Sequence, residues 1–482
     1  MRYSAVFVLR TERNFMSDML KVGDILTLDV YEINNLGAGV AKQDGLVVFV
    51  KGAVSGDTVR AKIIKLNKNF AVARLEEVVK SSPFREDADT ACREPNACGG
   101  CVWRGVTYAH ELEMKKKYVQ SVFMKEGISG ANVLDVIGTD KIYRYRNKAQ
   151  YPVCKTKNGV RAGFYATKTH NIIPINDCLI QNEKFAPIVA LVCRFAEQKN
   201  ISVYDEVSGK GLLRHIYLRS ADMNSDGEIM LCLVINGTSL PFSDELVERV
   251  KESFPEVTSI LLNVNKKNTN VVLGEKYILL DGKGYIEDVL CGLRFKIAPE
   301  AFYQVNRDGA ELLYTKAAEL AELDGRGDVV DLYCGTGTIG LSMARNAKQV
   351  FGIDIVEESV ACARENAAEN GITNARFACT DAGVPENIKK CLDGAGIALS
   401  EATVVIDPPR KGSTPELISF LAKEKVQRVV YISCNPDTLA RDCKLFTELG
   451  YKMSDVQPVN MFPRTGHVES VVCLTRKQPQ NP

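Results

Sequence analysis

The chain has 482 residues, 45% of them hydrophobic and 25% charged, with a formal net charge of +1; this excludes a disordered chain, a collagen-like one, and a binder that relies on global positive charge. A single core stops growing at about 250–300 residues, so several domains are expected. No stretch reaches the ~20 apolar residues of a membrane span, and the run Ala5–Leu9 is shorter than a secretory signal core. The chain therefore reads as a cytoplasmic monomer. In that compartment fifteen cysteines point to metal binding or catalysis rather than disulfides.

Residues 1–16 read as an extension ahead of the first strand pattern. Over 17–79 five short β runs (Ile25–Val30, Gly37–Ala41, Gly45–Val50, Thr58–Ile64, Ala71–Leu75) are broken by glycine-containing corners, which predicts a small closed barrel of the oligonucleotide-binding (OB-like) type. The stretches Asn35–Val40 and Val54–Val59 resemble the TRAM domain, and that resemblance implies RNA binding. Lys51, Lys62, Lys65 and Lys68 add weak support, because acidic residues nearly balance them.

Residues 80–298 read as a central α+β domain. It opens with Cys92-x5-Cys98-x2-Cys101 beside Gly99 and Gly100, three thiols able to converge on one zinc ion or iron–sulfur cluster with a fourth ligand from elsewhere. The asymmetric trio favours a cluster, and spacing leaves Cys154 and Cys178 both open as the fourth ligand. Helical spacing over His110–Phe123 ends at Gly127. From Lys141 to His170 there is no acidic residue. Lys141, Arg144, Arg146, Lys148, Lys155, Lys157, Arg161 and Lys168 alternate there with Tyr143, Tyr145, Tyr151, Phe164 and Tyr165, a composition suited to phosphates and unstacked bases unless the rings face the core. Strand patterns follow at Arg214–Leu218, Ile229–Ile235, Ser259–Val264 and Asn270–Leu273.

Residues 299–482 carry the chemistry. Asp328–Leu332 runs as a strand into Gly335-Thr-Gly337-Thr-Ile-Gly340 and a helix. The glycines alone suit a dinucleotide. Asp331, however, would repel a pyrophosphate and would welcome the ammonium of S-adenosylmethionine, and Asp354 ends the next strand where ribose hydroxyls are bound. A buried strand then ends in Asp407-Pro-Pro-Arg410, an edge that methyltransferases build into a target-base pocket. Another, Tyr431-Ile-Ser-Cys-Asn-Pro436, stops at a proline and leaves the Cys434 thiol at the lip of the sheet.

Taken in order, Phe302-Tyr-Gln-Val-Asn306, Asp331–Gly337, Asp407–Arg410, Ser433–Pro436 and His467-Val-Glu469 resemble the bacterial RNA uracil-5-methyltransferase family. Cys92, Cys98, Cys101 and Cys178 resemble the [4Fe-4S] ligands of its 23S ribosomal RNA members. The resemblance covers nearly all of the chain after Met16. It implies a C-terminal Rossmann-like α/β methyltransferase domain, cofactor contacts from Gln304, Tyr333, Asp354 and Asp407, a nucleophilic Cys434 and a base at Glu469. The family often has Glu where this chain has Asp354. A thiolate is needed because carbon 5 of uracil is a poor nucleophile until carbon 6 is attacked, and a carboxylate is needed to take the carbon 5 proton afterwards. A transfer RNA target, a cytosine-5 RNA methyltransferase and a non-catalytic RNA-binding protein are the competing readings. The His-x-Glu ending and the intact Gly335, Gly337, Asp407 and Cys434 speak against the last two.

Overall fold

The computed structural model describes residues 20–87, 92–94, 97–167, 169–221 and 227–477; the expected extension 1–16 and Lys168 lie outside them. The chain divides into two compact units. The first holds residues up to Arg93, Cys101–Tyr118 and Pro463–Gly466, and the second holds the remainder.

In the first unit the strands β1 (Ile25–Ile33), β2 (Ala38–Gln43), β3 (Leu46–Lys51), β4 (Thr58–Leu66) and β5 (Phe70–Lys80) close into a barrel of order β1-β2-β3-β5-β4. Alternation turns Leu28, Val30, Val48, Val50, Val59, Ala61, Ile63, Ala71 and Ala73 inward, and closure leaves no free sheet edge. Gly37 has φ +76°, and a Cβ there would come within 1.9 Å of the Val102 carbonyl oxygen. Only glycine fits that turn. Asp57 is buried and accepts hydrogen bonds from the Val54 and Ser82 amides at 2.7 and 2.9 Å, while Arg85 pairs with it at 2.6 Å. The Val54–Val59 motif is thus the knot that fixes where the chain leaves the barrel. The expected helix is present as Tyr108–Lys125.

The second unit contains two large sheets. One has the order β12-β11-β10-β9-β6-β7-β8, formed by β6 (Lys148–Thr156), β7 (Gly159–Tyr165), β8 (Ile172–Pro174), β9 (Leu213–Ala221), β10 (Glu228–Ile235), β11 (Val257–Val264) and β12 (Lys276–Gly282). The strand expected at Asn270–Leu273 is instead a loop. Asn265 Nδ2 donates to the Val271 and Val272 carbonyls, and Asn263 bonds both backbone groups of Gly274. Side chains thus satisfy the backbone there, and the strand forms further on at β12. A hairpin follows, β13 (Ile286–Leu290) and β14 (Leu293–Ile297).

The other sheet has the order β17-β16-β15-β18-β19-β22-β20, with β21 paired to β22. Its strands are β15 (Asp328–Leu332), β16 (Gln349–Asp354), β17 (Ala375–Cys379), β18 (Thr403–Ile406), β19 (Arg428–Ser433), β20 (Tyr451–Met453), β21 (Gln457–Val459) and β22 (Glu469–Arg476). The first five are mutually parallel and β22 is antiparallel to β19. This is the C-terminal α/β layer expected from the sequence. Strand order reverses between β15 and β18, which opens a crevice at their carboxyl ends. No helix among the described residues is long and apolar enough to cross a membrane.

Candidate active site

Parallel pairing aligns the carboxyl ends of β15, β16, β18 and β19, so Asp331, Asp354, Asp407 and Cys434 emerge at one edge. Cys434 and Glu469, thirty-five positions apart in the chain, are brought together by the strand pairing. The antiparallel ladder between β19 and β22 ends with Ser433 paired to Ser470. Cys434 and Glu469 each lie one residue beyond that last pair, near enough for the Glu469 charge to reach the thiol.

On the cofactor side, Asp331 is fully buried; its Oδ2 accepts from the Gly340 amide at 2.8 Å while Oδ1 has no hydrogen-bond partner. A buried carboxylate oxygen left over at this crevice fits the ammonium of S-adenosylmethionine. A Cβ on Gly340 would sit 2.8 Å from Asp331 Oδ2, so the third glycine is needed for the helix Thr338–Met343 to approach the strand. Tyr333 holds φ +67° at the turn. The Asp354 oxygens take the Gly335 and Val356 amides, both at 2.9 Å, and each keeps a lone pair for ribose. Exposed Ile355 and Val356 beside it give an apolar ledge. In the Phe302–Asn306 motif the side chains alternate: Tyr303 is buried with its hydroxyl on Asp288, and Asn306 caps the helix Arg307–Ala321 and donates to the Met461 carbonyl. Phe302 is 62% exposed, and Gln304 joins Thr338 on the buried Tyr314 hydroxyl. Asp381 stands just beyond β17 at the same edge; it went unnoticed in the sequence, although an acid closing a fourth consecutive strand was the available signal.

On the thiol side, Cys434 is half-buried between β19 and the helix Pro436–Glu448, and Asn435 caps that helix while its Nδ2 donates to the Arg410 carbonyl at 3.0 Å. Asp442, also missed, fixes the loop after Asp407. Its Oδ2 accepts from the Tyr431 hydroxyl at 2.5 Å and from the Ser413 amide at 2.8 Å, and Arg441 pairs with it at 2.7 Å while reaching the Lys411 and Ser413 carbonyls. Its signal was an acid on the apolar helix face formed by Leu439, Cys443 and Phe446.

Electrostatically the edge is a strained cluster of acids. Burial first, then Asp407 and Asp354, push Asp331 up to about 7. Burial pushes Asp407 up to about 7, and burial with Asp407 pushes Glu469 up to about 8 against the pull of Arg410. The Cys434 thiol rises to about 11 through burial, Glu469 and Asp407, with Arg410 again opposing. Such an edge favours a cationic guest, and that guest would favour the thiolate.

The basic segment is partly spent on folding. Tyr145 and Tyr151 are buried, Tyr151 stacks on Phe164, the Tyr165 hydroxyl donates to Glu206, and Arg144 forks onto Asp177. Lys141, Lys155 and Lys157 remain exposed. The four cysteines expected to hold a cluster are partly exposed thiols, and each loop is positioned by bonds of its own. Arg104 reaches the Cys92 sulfur at 3.6 Å, Cys98 bridges Ala166, and the Cys178 carbonyl takes Arg144. Among the described residues no group of three or more His, Cys, Asp or Glu side chains is placed to hold a metal ion. No step below runs through a metal ion or a cluster.

A family model described as tRNA (uracil-5-)-methyltransferase matches residues 107–477, and that of the TRAM domain matches residues 20–75. An RNA methyltransferase of Bacillus cereus is 42% identical over 462 residues, covering 96% of this chain and 98% of that protein. One from Clostridium acetobutylicum is 40% identical over 450 residues, covering 92% and 95%. The crystal structure of Pyrococcus abyssi tRNA (uracil-54, C5)-methyltransferase in complex with S-adenosyl-L-homocysteine is similar with a TM-score of 0.74 at 26% identity, covering 93% of this chain and all of that one.

Proposed function

The chain belongs to the tRNA (uracil-5-)-methyltransferase family, and from that premise we propose that it methylates carbon 5 of an RNA uridine through a covalent bond between Cys434 and carbon 6, with Glu469 as the base. The observation that carries this reading is the proximity of Cys434 and Glu469, just past the last pair of the β19–β22 ladder, at the edge where Asp331 and Asp407 are buried. S-adenosylmethionine supplies the electrophilic methyl group. Asp331 holds its ammonium, Asp354 its ribose, and Gln304, Tyr333, Asp407, Gly335 and Gly337 shape the rest of the pocket.

The Cys434 thiolate adds to carbon 6, and the π electrons of the 5,6 double bond move toward carbon 5 and the carbon 4 oxygen. Carbon 5 then takes the methyl as the sulfur–methyl bond breaks with its electron pair staying on sulfur, so that S-adenosylhomocysteine is the leaving group. Glu469 removes the proton left on carbon 5, the double bond re-forms, and the thiolate leaves with its electron pair. Proton removal by a positioned carboxylate is typically worth about 10²–10⁴ in rate. The uridine has to leave its stack, at a cost of a few kcal/mol that is least in a loop. A Cys434→Ala protein is expected to make no 5-methyluridine, and a Glu469→Gln protein to accumulate methylated RNA bound to enzyme that survives denaturation. Methylation by the alanine variant would overturn the reading.

The target is proposed to be 23S ribosomal RNA, on the strength of the TRAM barrel and the cysteine pattern. A transfer RNA target is favoured by the transfer RNA substrate of the Pyrococcus abyssi neighbour. Mapping 5-methyluridine in both RNAs from cells lacking the gene decides between them. The [4Fe-4S] cluster on Cys92, Cys98, Cys101 and Cys178 is a separate proposal resting on that same pattern, and iron and sulfide content after anaerobic purification tests it.

A further inference from the structure

Beside the loop Ala301–Val305 three cations gather, none of them in an ion pair among the described residues, although the Glu300 charge reaches the Tyr217 hydroxyl that Arg219 contacts. Lys148 on β6 is paired across the ladder with Arg219 on β9, and Arg146 lies two residues before it. Arg219 is only 3% exposed. Its Nε reaches the Tyr217 hydroxyl and its Nη2 the Ala301 carbonyl, whereas Nη1 is buried without a partner. Arg146 Nε is likewise buried and unpartnered. Burial, then Arg219 and Arg146, push the Lys148 ammonium down to about 8. A buried guanidinium nitrogen with no acceptor, next to two further cations that repel one another, is a costly arrangement in an empty protein. It becomes favourable once an anion with several acceptor oxygens sits among them.

Position identifies the anion. Asn147, between Arg146 and Lys148, donates its Nδ2 to the Gln304 carbonyl at 2.9 Å and its amide to the Val305 carbonyl at 2.9 Å. Arg219 holds the same loop from its other end at Ala301. The cations are therefore strapped to the segment that presents Phe302 to solvent and Gln304 to the cofactor pocket. A single carboxylate, such as that of the methionine moiety, would neutralise one of three charges. A phosphodiester likewise carries one negative charge, but RNA carries one at every nucleotide, so consecutive phosphates can meet all three cations.

We propose that Arg146, Lys148 and Arg219 form a phosphate-binding site that grips the RNA backbone next to the target uridine; this rests on the RNA-methyltransferase reading above. The site positions the substrate and does no chemistry.

The test is binding of a fluorescent single-stranded RNA oligonucleotide to the full chain, titrated over a range of salt, for wild type, Lys148→Gln and Arg146→Gln. Affinity for S-adenosylhomocysteine and the circular dichroism spectrum are measured alongside. Each variant is expected to bind RNA more weakly, with the slope of log K against log salt reduced in magnitude by about 0.7, the value for one single-strand phosphate contact. Cofactor affinity stays within twofold. Lys148→Arg, which keeps the charge, is expected to restore the slope. Unchanged slopes in both glutamine variants overturn the site while leaving the methyltransferase reading intact. A loss of cofactor affinity instead assigns the cations to the cofactor carboxylate and also overturns it. A wild-type chain that binds no RNA overturns both readings.

Discussion

Binding of S-adenosylmethionine to the free protein should release protons. Asp331 and Asp407 stand at about 7 and Glu469 at about 8, against ordinary values of 3.8 and 4.5. At 1.36 kcal/mol per pH unit, each difference corresponds to about 4–5 kcal/mol, shared among the three because they repel one another. The sign follows from proton counting: with the folded values raised, the native state binds more protons than the unfolded chain between about pH 4 and 8. This contribution makes the unliganded protein less stable as pH rises through that window, and the full cost is felt above it. A guest carrying both an ammonium and a sulfonium reverses the balance by favouring the carboxylates. Isothermal titration calorimetry at pH 6.5 in buffers of different ionisation enthalpy should show about one proton released per cofactor bound, falling toward zero by about pH 9. S-adenosylhomocysteine, lacking the sulfonium, should release fewer. Asp331→Asn should shrink the release, weaken cofactor binding and flatten the pH dependence of thermal stability. Binding enthalpies independent of buffer at pH 6.5 would refute the reasoning.

The neighbours of Cys434 make opposite predictions for iodoacetamide alkylation at pH 9: Glu469→Gln removes a charge that disfavours the thiolate and should react faster than wild type, whereas Arg410→Gln should react slower. Equal rates would show that neither charge reaches the thiol. Asp442→Ala leaves the buried Tyr431 hydroxyl without its acceptor and the Ser413 amide with only the Tyr431 hydroxyl oxygen at 3.1 Å; with one buried group unpaired at about 1–3 kcal/mol, chemical denaturation should show a loss of that size and methylation should fall as the Arg410 loop loosens. In the first unit, Gly37→Ala forces a Cβ against the Val102 carbonyl at positive φ; a loss of about 1–3 kcal/mol should appear in denaturation of the TRAM region, with cofactor affinity unchanged.

Much of this arrangement could be read in advance because its determinants are local. Barrel strands announce themselves by alternation and glycine corners, and the strand–glycine turn–helix at Asp328–Met343 does so by composition alone. Residues whose meaning depends on distant partners were harder. Tyr431 reads as one more apolar residue of a buried strand until its hydroxyl is seen on Asp442, and Asp442 reads as a helix charge until it is found buried. Tyr145 and Tyr151 have the composition of base-stacking rings, yet each faces the core, because a run of basic and aromatic residues does not say which side of the strand is wet. Asn270–Leu273 shows the same limit for backbone: it is apolar enough for a strand, but the Asn265 amide claims the Val271 and Val272 carbonyls first, and Asn263 takes Gly274 just beyond.

Strand β22 enters the sheet between β19 and β20 rather than at its margin. Until that last strand is laid down, two neighbouring strands are left with open edges, a state prone to pairing with other chains. On the mechanism proposed above, a chain in which β22 is not yet placed presents Cys434 without Glu469 beside it, so it would lack the carboxylate that lets an RNA adduct go, and competence for turnover would wait on that strand.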